Sequence, residues 1–379
     1  MDLDLRKDQQ MIKKTAREFL DKECPRDPFV REMEKDDRGI TDDLWRKMAD
    51  LGWLGLLLPE KYGGMECDFL DLIIVLEEMG RACLPGPFLQ TSLAGLAILW
   101  EGSDDQKERF LSKIADGDMI MTLALNESMQ TDNAEAIKTT GESMGKSLVI
   151  NGVEMFVPDA HIADYILCPV RIDPSITPEE AISLVLIDPC QDGVECIPLK
   201  DTIAGDKLFR VELNNVEVPV ENHIGVFGES WSLIQKLQIH GALSECARML
   251  GGARRVLDLS VDYAKKRKQF DRPIGSFQII QHYLAAMLTD VDASQFITYQ
   301  AAWKVANGQG SRKDVSMAKV WVNEAYYRTC VTGHQVHGGV GFTQEFDVGL
   351  YFRRAKAQEI SFGDTDYHCS HIAQEIGLR

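Results

Sequence analysis

The spacing of apolar residues changes twice along this chain, and that double change limits the fold more tightly than any one motif. Across residues 11–24 the apolar positions Ile12, Ala16, Phe19 and Leu20 recur at helical spacing between Lys, Arg, Glu and Asp. Further stretches of this kind cover 44–51, 70–79, 91–100 and 106–114, separated by Pro59, Gly63-Gly64 and Pro85-Gly86-Pro87. Near Met119 the pattern shortens. Residues 119–125 form a compact apolar run, and 147–157 carry an Asn151-Gly152 step that predicts a tight hairpin between two strand-like halves. Runs at 165–167, 182–187 and 209–213, each bounded by Pro, Gly, Asp or Asn, predict more short strands up to Pro219. From Trp231 onward helical spacing returns. Leu250, Ala253, Leu257, Val261 and Ala264 mark one helix face, and 279–303 and 317–330 continue the pattern. The order is helical, β, helical: an α+β chain with expected boundaries at 1–118, 119–225 and 226–379.

Charge narrows the partners. With 59 acidic and 41 basic residues the net charge is −18, so nucleic acid and anionic membrane surfaces would be repelled over most of the protein. A local basic site for a small phosphate is still compatible with that balance. The polar, acidic start from Met1 to Asp8 carries no export signal, and no run of about 18 apolar residues predicts a membrane span. The nine cysteines are scattered, without a CxxC pair or a Cys/His cluster at metal-ligand spacing. They are expected to be reduced core thiols of a cytoplasmic protein with no metal site.

Three motifs say more. Leu51-Gly52-Trp53-Leu54-Gly55 followed by Pro59-Glu60-Lys61-Tyr62-Gly63-Gly64 resembles an N-terminal segment of the acyl-CoA dehydrogenase family. Residues 263–278, Tyr-Ala-Lys-Lys-Arg-Lys-Gln-Phe-Asp-Arg-Pro-Ile-Gly-Ser-Phe-Gln, resemble that family's C-terminal signature almost position by position, with Asp271 where the family has Gly. Residues 335–343, Gln-Val-His-Gly-Gly-Val-Gly-Phe-Thr, resemble its second signature at the right distance downstream. The resemblance covers nearly the whole chain. It implies an acyl-CoA dehydrogenase-like fold: an N-terminal helical domain, a central β-barrel-like domain and a C-terminal four-helix bundle.

It also implies an FAD between the β domain and the bundle, reaching a neighbouring subunit, in a homo- or heterotetramer. Arg267 would pair with the pyrophosphate, a role suited to a planar, permanently charged fork of donors. Phe270 and Gln278 would line the adenine side, and Gln335 with Gly338 and Gly339 would approach the cofactor across the subunit contact, where backbone comes close only without a Cβ. Phe156 falls where an aromatic residue covers the flavin ring. The next family position, a Thr or Ser, is Pro158 here, which offers neither hydroxyl nor N–H. Asn126-Glu127-Ser128 and Gln130-Thr131-Asp132 stand where the family has Thr-Glu-Pro and a Gly-Ser-Asp-like turn.

The base is the anomaly. Removing the α-proton of an acyl-CoA while the β-hydride passes to a flavin needs a carboxylate within hydrogen-bond reach of the α-carbon. Aligning residues 352–356 with the family's Tyr-Arg-Asp-Ala-Lys stretch puts Phe362, just before Gly363, where most members carry that Glu. A minority carry it on an earlier helix, at the place held here by Gly241-Ala242. Neither place offers a carboxylate. Asp364 is the best single substitute, ahead of Asp366 and Glu359, although turn formation or cofactor contact is the more ordinary task of such an Asp.

Residues 362–368 resemble subunits that act in pairs on bulky acyl-CoA esters. Three readings follow. The chain is an FAD-dependent dehydrogenase of an alicyclic, steroid-side-chain or dicarboxylic acyl-CoA, with an unusual base and an electron-transfer flavoprotein as acceptor. Or it is a non-catalytic subunit that completes the flavin site of a heteromer. Or it is a flavin enzyme of another class, monooxygenase-like or desulfinating.

Overall fold

A computed structural model describes residues 5–127, 133–173, 175–200 and 205–378. The N-terminal helices are α1 (Lys7–Glu23), α2 (Arg31–Met33), α3 (Asp42–Asp50), α4 (Phe69–Ala82), α5 (Phe88–Glu101) and α6 (Asp104–Ala115). Their starts are written in the sequence as caps. Thr41 accepts from the Leu44 N–H, while Asp68 with Asp71 and Ser103 with Gln106 form reciprocal capping boxes. The C-terminal helices are α7 (Trp231–Lys266), α8 (Gln278–Ala306), α9 (Arg312–His337), α10 (Val348–Ile360) and α11 (Thr365–Glu375). Leu250, Ala253, Leu257 and Ala264 of the predicted α7 face are buried.

Between them lie β1 (Met121–Leu123), β2 (Thr140–Met144), β3 (Ser147–Pro158), β4 (Tyr165–Arg171), β5 (Ile182–Ile187), β6 (Val194–Pro198), β7 (Leu208–Pro219) and β8 (His223–Ile224). Their order in the sheet is β6-β7-β3-β2-β4-β5-β8, with β1 parallel to β4. Ile150, Val157, Ile166, Val185, Val211 and Val216 meet in its core. β2 escapes a reading by hydrophobicity because it is mostly solvent-facing, and β6 because none of its residues is fully buried.

The hairpin expected at Asn151-Gly152 is not there. β3 runs through both residues as one strand against β7, and the chain reverses instead at Gly145-Lys146, between the paired Met144 and Ser147. Gly145 supplies the left-handed backbone of that turn, φ +69°. Gly152 answers a different demand. A Cβ there would lie 2.1 Å from Thr139 Oγ1.

By packing, the described chain forms two compact units: residues 1–32, 68–84 and 241–379 in the first, 33–67 and 85–240 in the second. The division into thirds is therefore one of element type, and the N-terminal helices are shared out between both units. In the first unit, helix α4 approaches α7 so closely that a Cβ on Gly251 would lie 1.8 Å from the Glu77 carbonyl oxygen. Buried Glu77 and Glu78 are held there by Lys13 and Arg17 of α1, each at 2.7 Å. All nine cysteines are free, as expected, but not all are core thiols: Cys190 and Cys369 are exposed. Among the described residues no helix is long and apolar enough to cross a membrane.

Candidate functional site

In the first unit, α7 ends in a run of cations, Lys265, Lys266, Arg267 and Lys268, unusual for so acidic a protein. Arg267 is exposed, and among the described residues its guanidinium has no hydrogen-bond or ion-pair partner. The chain then turns through a two-stranded hairpin, β9 (Lys268–Gln269) and β10 (Arg272–Pro273). Its tip residues Phe270 and Asp271 both have left-handed backbone, φ +52° and +63°. That geometry explains why glycine suits position 271 and why Asp, which tolerates this region, can replace it. The hairpin lifts Phe270 to 86% exposure, its ring edge-on to Phe277.

The second signature lies at the end of α9. Gln335 is exposed, and Gly338 follows the helix with φ +65° and ψ −145°, a conformation open to glycine. A Cβ at Gly338 or Gly339 would meet nothing within 4 Å. Tyr263, one turn before Arg267, stacks on His337, just before Gly338, with ring centroids 4.5 Å apart. The two signatures, remote in sequence, are thus tied by one aromatic contact. Gln278, the first residue of α8, is exposed as well. An unpaired guanidinium, a bare aromatic ring, two amides and an open glycine turn fit an aromatic dinucleotide with a pyrophosphate.

At the α10–α11 junction the surroundings are different in kind. Phe362 takes left-handed backbone, φ +52°, and its ring lies on Gly241 of α7. A Cβ on Gly241 would sit 2.3 Å from Phe362 Cε1. The two alternative places for a carboxylate are therefore neighbours in space, and hydrocarbon fills the room between them. Asp364 is the N-cap of α11, its Oδ1 accepting from the Tyr367 N–H at 2.8 Å. Glu359 accepts from Lys356 and lies on α10.

Two groups that fix this junction carry no sequence signal of their own. Lys319 is fully buried on α9 and donates to the Gln358 and Glu359 carbonyls, the last turn of α10, at 2.8 and 3.1 Å. A cation there meets the negative end of the helix, although burial lowers its pKa. His368 is buried, its Nε2 3.1 Å from the Phe362 carbonyl oxygen and its Nδ1 3.0 Å from Ser316 Oγ. Burial, then the nearby Lys319 charge, pushes it down to about 3. As a neutral ring it can donate from Nε2 to Phe362 while Ser316 donates to Nδ1.

In the second unit Phe156 is not packed in the sheet core. The β3–β7 register shifts between Glu154 and Val157, and in that bulge Phe156 takes φ +57° with 53% exposure. Bulges re-aim side chains, and this one turns an aromatic ring outward. Pro158 ends the strand, and its carbonyl accepts from Thr122 Oγ1. The Asn126 carbonyl accepts from the Met155 N–H at 2.7 Å. Ser128 and Gln130-Thr131-Asp132 lie outside the described residues.

Residues 6–118 match the N-terminal domain of the acyl-CoA dehydrogenases and 228–377 their C-terminal domain. The chain is 30% identical over 372 residues to a 3-(aryl)acrylate reductase of Clostridium sporogenes, covering 97% of this chain and 98% of that one. It is 30% identical over 359 residues to the caffeyl-CoA reductase-Etf complex subunit CarC of Acetobacterium woodii, covering 93% and 94%. In structure it resembles a chain of the ChsE4-ChsE5 complex of Mycobacterium tuberculosis, with a TM-score of 0.90, 29% identity and both chains covered in full. The chain belongs to the acyl-CoA dehydrogenase family, FAD-dependent oxidoreductases that act on CH–CH bonds.

Proposed function

We propose that this chain is the non-catalytic partner in a heteromeric acyl-CoA dehydrogenase, completing a flavin site whose proton-abstracting carboxylate belongs to another subunit. The observation that carries this is the Phe362 ring seated on Gly241. General-base chemistry needs an acceptor, and aromatic carbon supplies none. Asp364 already uses one carboxylate oxygen to cap α11.

Arg267, Phe270, Gln278, Gln335, Gly338 and Gly339 would hold the dinucleotide, and Phe156 would cover its ring. When bound, the flavin supplies the two-electron exchange at the β-carbon. The substrate we assign is a bulky, ring-bearing acyl-CoA ester, in keeping with the aryl and caffeyl groups named for two relatives. An electron-transfer flavoprotein would be the redox partner, as the name of the second relative records for that protein.

The test is purification from the native cell, followed by anaerobic titration with alicyclic, aryl and dicarboxylic acyl-CoA esters. A stoichiometric second family member, with flavin bleaching only in the pair, is the expected result. A homo-oligomer of this chain that is itself bleached by an acyl-CoA would overturn it and favour an active dehydrogenase with an unconventional base.

A further inference from the structure

Glu154 is a buried acid that the proposed chemistry does not use. It sits on β3, fully buried, where its Oε1 accepts from Thr139 Oγ1 at 2.8 Å and from Cys168 Sγ at 3.5 Å. Among the described residues its Oε2 has no hydrogen-bond partner. Burial holds its carboxyl well above the ordinary range, and the Glu127 carboxylate adds like-charge repulsion. Among the described residues no cation offsets a charge on Glu154, so burial favours its uncharged form.

Its contacts close a ring. Thr139, which Glu154 holds by the hydroxyl, donates its own N–H to Glu127 Oε1 at 2.7 Å, and the Lys138 N–H donates to the same oxygen at 2.5 Å. Glu127 follows Asn126, whose carbonyl accepts from Met155 N–H at 2.7 Å. Met155 follows Glu154 and precedes Phe156, inside the register shift. Side chain, loop and strand thus form one closed circuit around the bulge. Gly152 is what lets Thr139 lie against the strand at all.

We propose that Glu154 is a positioning residue: through Thr139 and Glu127 it clamps the 126–127 segment onto Met155 and so fixes the bulge that presents Phe156. This rests on the reading that Phe156 meets the flavin ring. A left-handed backbone at a non-glycine aromatic residue is strained and holds only where its surroundings determine it. The circuit through Glu154 supplies that determination from beneath the exposed ring.

The visible absorption spectrum of the flavin-loaded protein, purified with its partner subunit, reads the surroundings of the ring. Glu154→Gln keeps an uncharged acceptor for the Thr139 hydroxyl and is expected to leave the bands in place. Glu154→Ala is expected to shift them in the same direction as Phe156→Ala, and Thr139→Val does the same where Glu154→Ala fails to fold. A shift with Phe156→Ala but none with folded Glu154→Ala or Thr139→Val overturns the proposal and leaves the flavin reading intact. No shift with Phe156→Ala removes the premise, and the proposal falls with it.

Discussion

At the α7–hairpin end of the first unit, Arg267, Phe270, Gln278, Gln335 and the Gly338-Gly339 turn stand exposed, in the residue types that suit a dinucleotide. At the α10–α11 junction of the same unit, the Phe362 ring is packed on Gly241, and Asp364 caps helix α11. Gripping a cofactor and doing its chemistry place separate demands on a chain. The first needs charge, planarity and open backbone, whereas the second needs one acceptor at one point. A fold can keep the first while losing the second, because different residues meet the two demands.

The contrast would be reversed most strongly by Phe362→Glu. Its carboxylate would stand beside Gly241, and a positioned base contributes about 10²–10⁴-fold. The variant, freed of any partner subunit, is expected to gain flavin bleaching by acyl-CoA that the unaltered chain lacks. If the flavin stays oxidised while still bound, the junction is not the reaction end. Next comes Arg267→Ala, which removes a charge-assisted contact of about 1.5–3 kcal/mol and should weaken FAD retention by roughly 10- to 100-fold. The ratio of flavin to protein absorbance after gel filtration measures it. Full retention would mean that the cationic helix end is merely solvated.

The acid limb of stability tests how the junction is held. His368 has a folded value of about 3, below its ordinary value near 6.5. Below pH of about 6.5 the unfolded chain gains a proton that the folded chain refuses. The stability is therefore present above that pH and falls toward pH 3, by up to about 1.4 kcal/mol per pH unit. Denaturation midpoints of His368→Gln should decline less steeply over that window, and parallel curves would show that the imidazole is not held neutral. The smallest effect belongs to Asp364→Asn. Asn caps helices about as well as Asp, so stability should change by no more than a few tenths of a kcal/mol, with bleaching of the assembled pair unchanged. Loss of bleaching would make Asp364 the base and erase the contrast.

Much of the candidate site was legible because it is local. Residues 263–278 and 335–343 carry their proposed roles in contiguous stretches, and the hairpin tip at Phe270-Asp271 is set by a few dihedral angles. Phe362 could be placed by alignment along a single helix. What it touches could not, since Gly241 lies on a different helix and only packing brings them together. Lys319 and His368 were missed for the same reason: their partners are carbonyls and a hydroxyl that the sequence does not pair with them.

By itself the sequence determined the helical, β, helical order and which residues could grip a phosphate, because these depend on neighbours a few positions away. The tertiary structure alone decided that Asn151-Gly152 is a strand crossing rather than a turn, and that residues 33–67 and 68–84 join different units. It also decided that the Phe362 ring closes over Gly241. Those outcomes turn on which distant surfaces exclude water together, and a Thr139 hydroxyl against Gly152, or a Phe362 ring against Gly241, is invisible until the chain has folded back on itself.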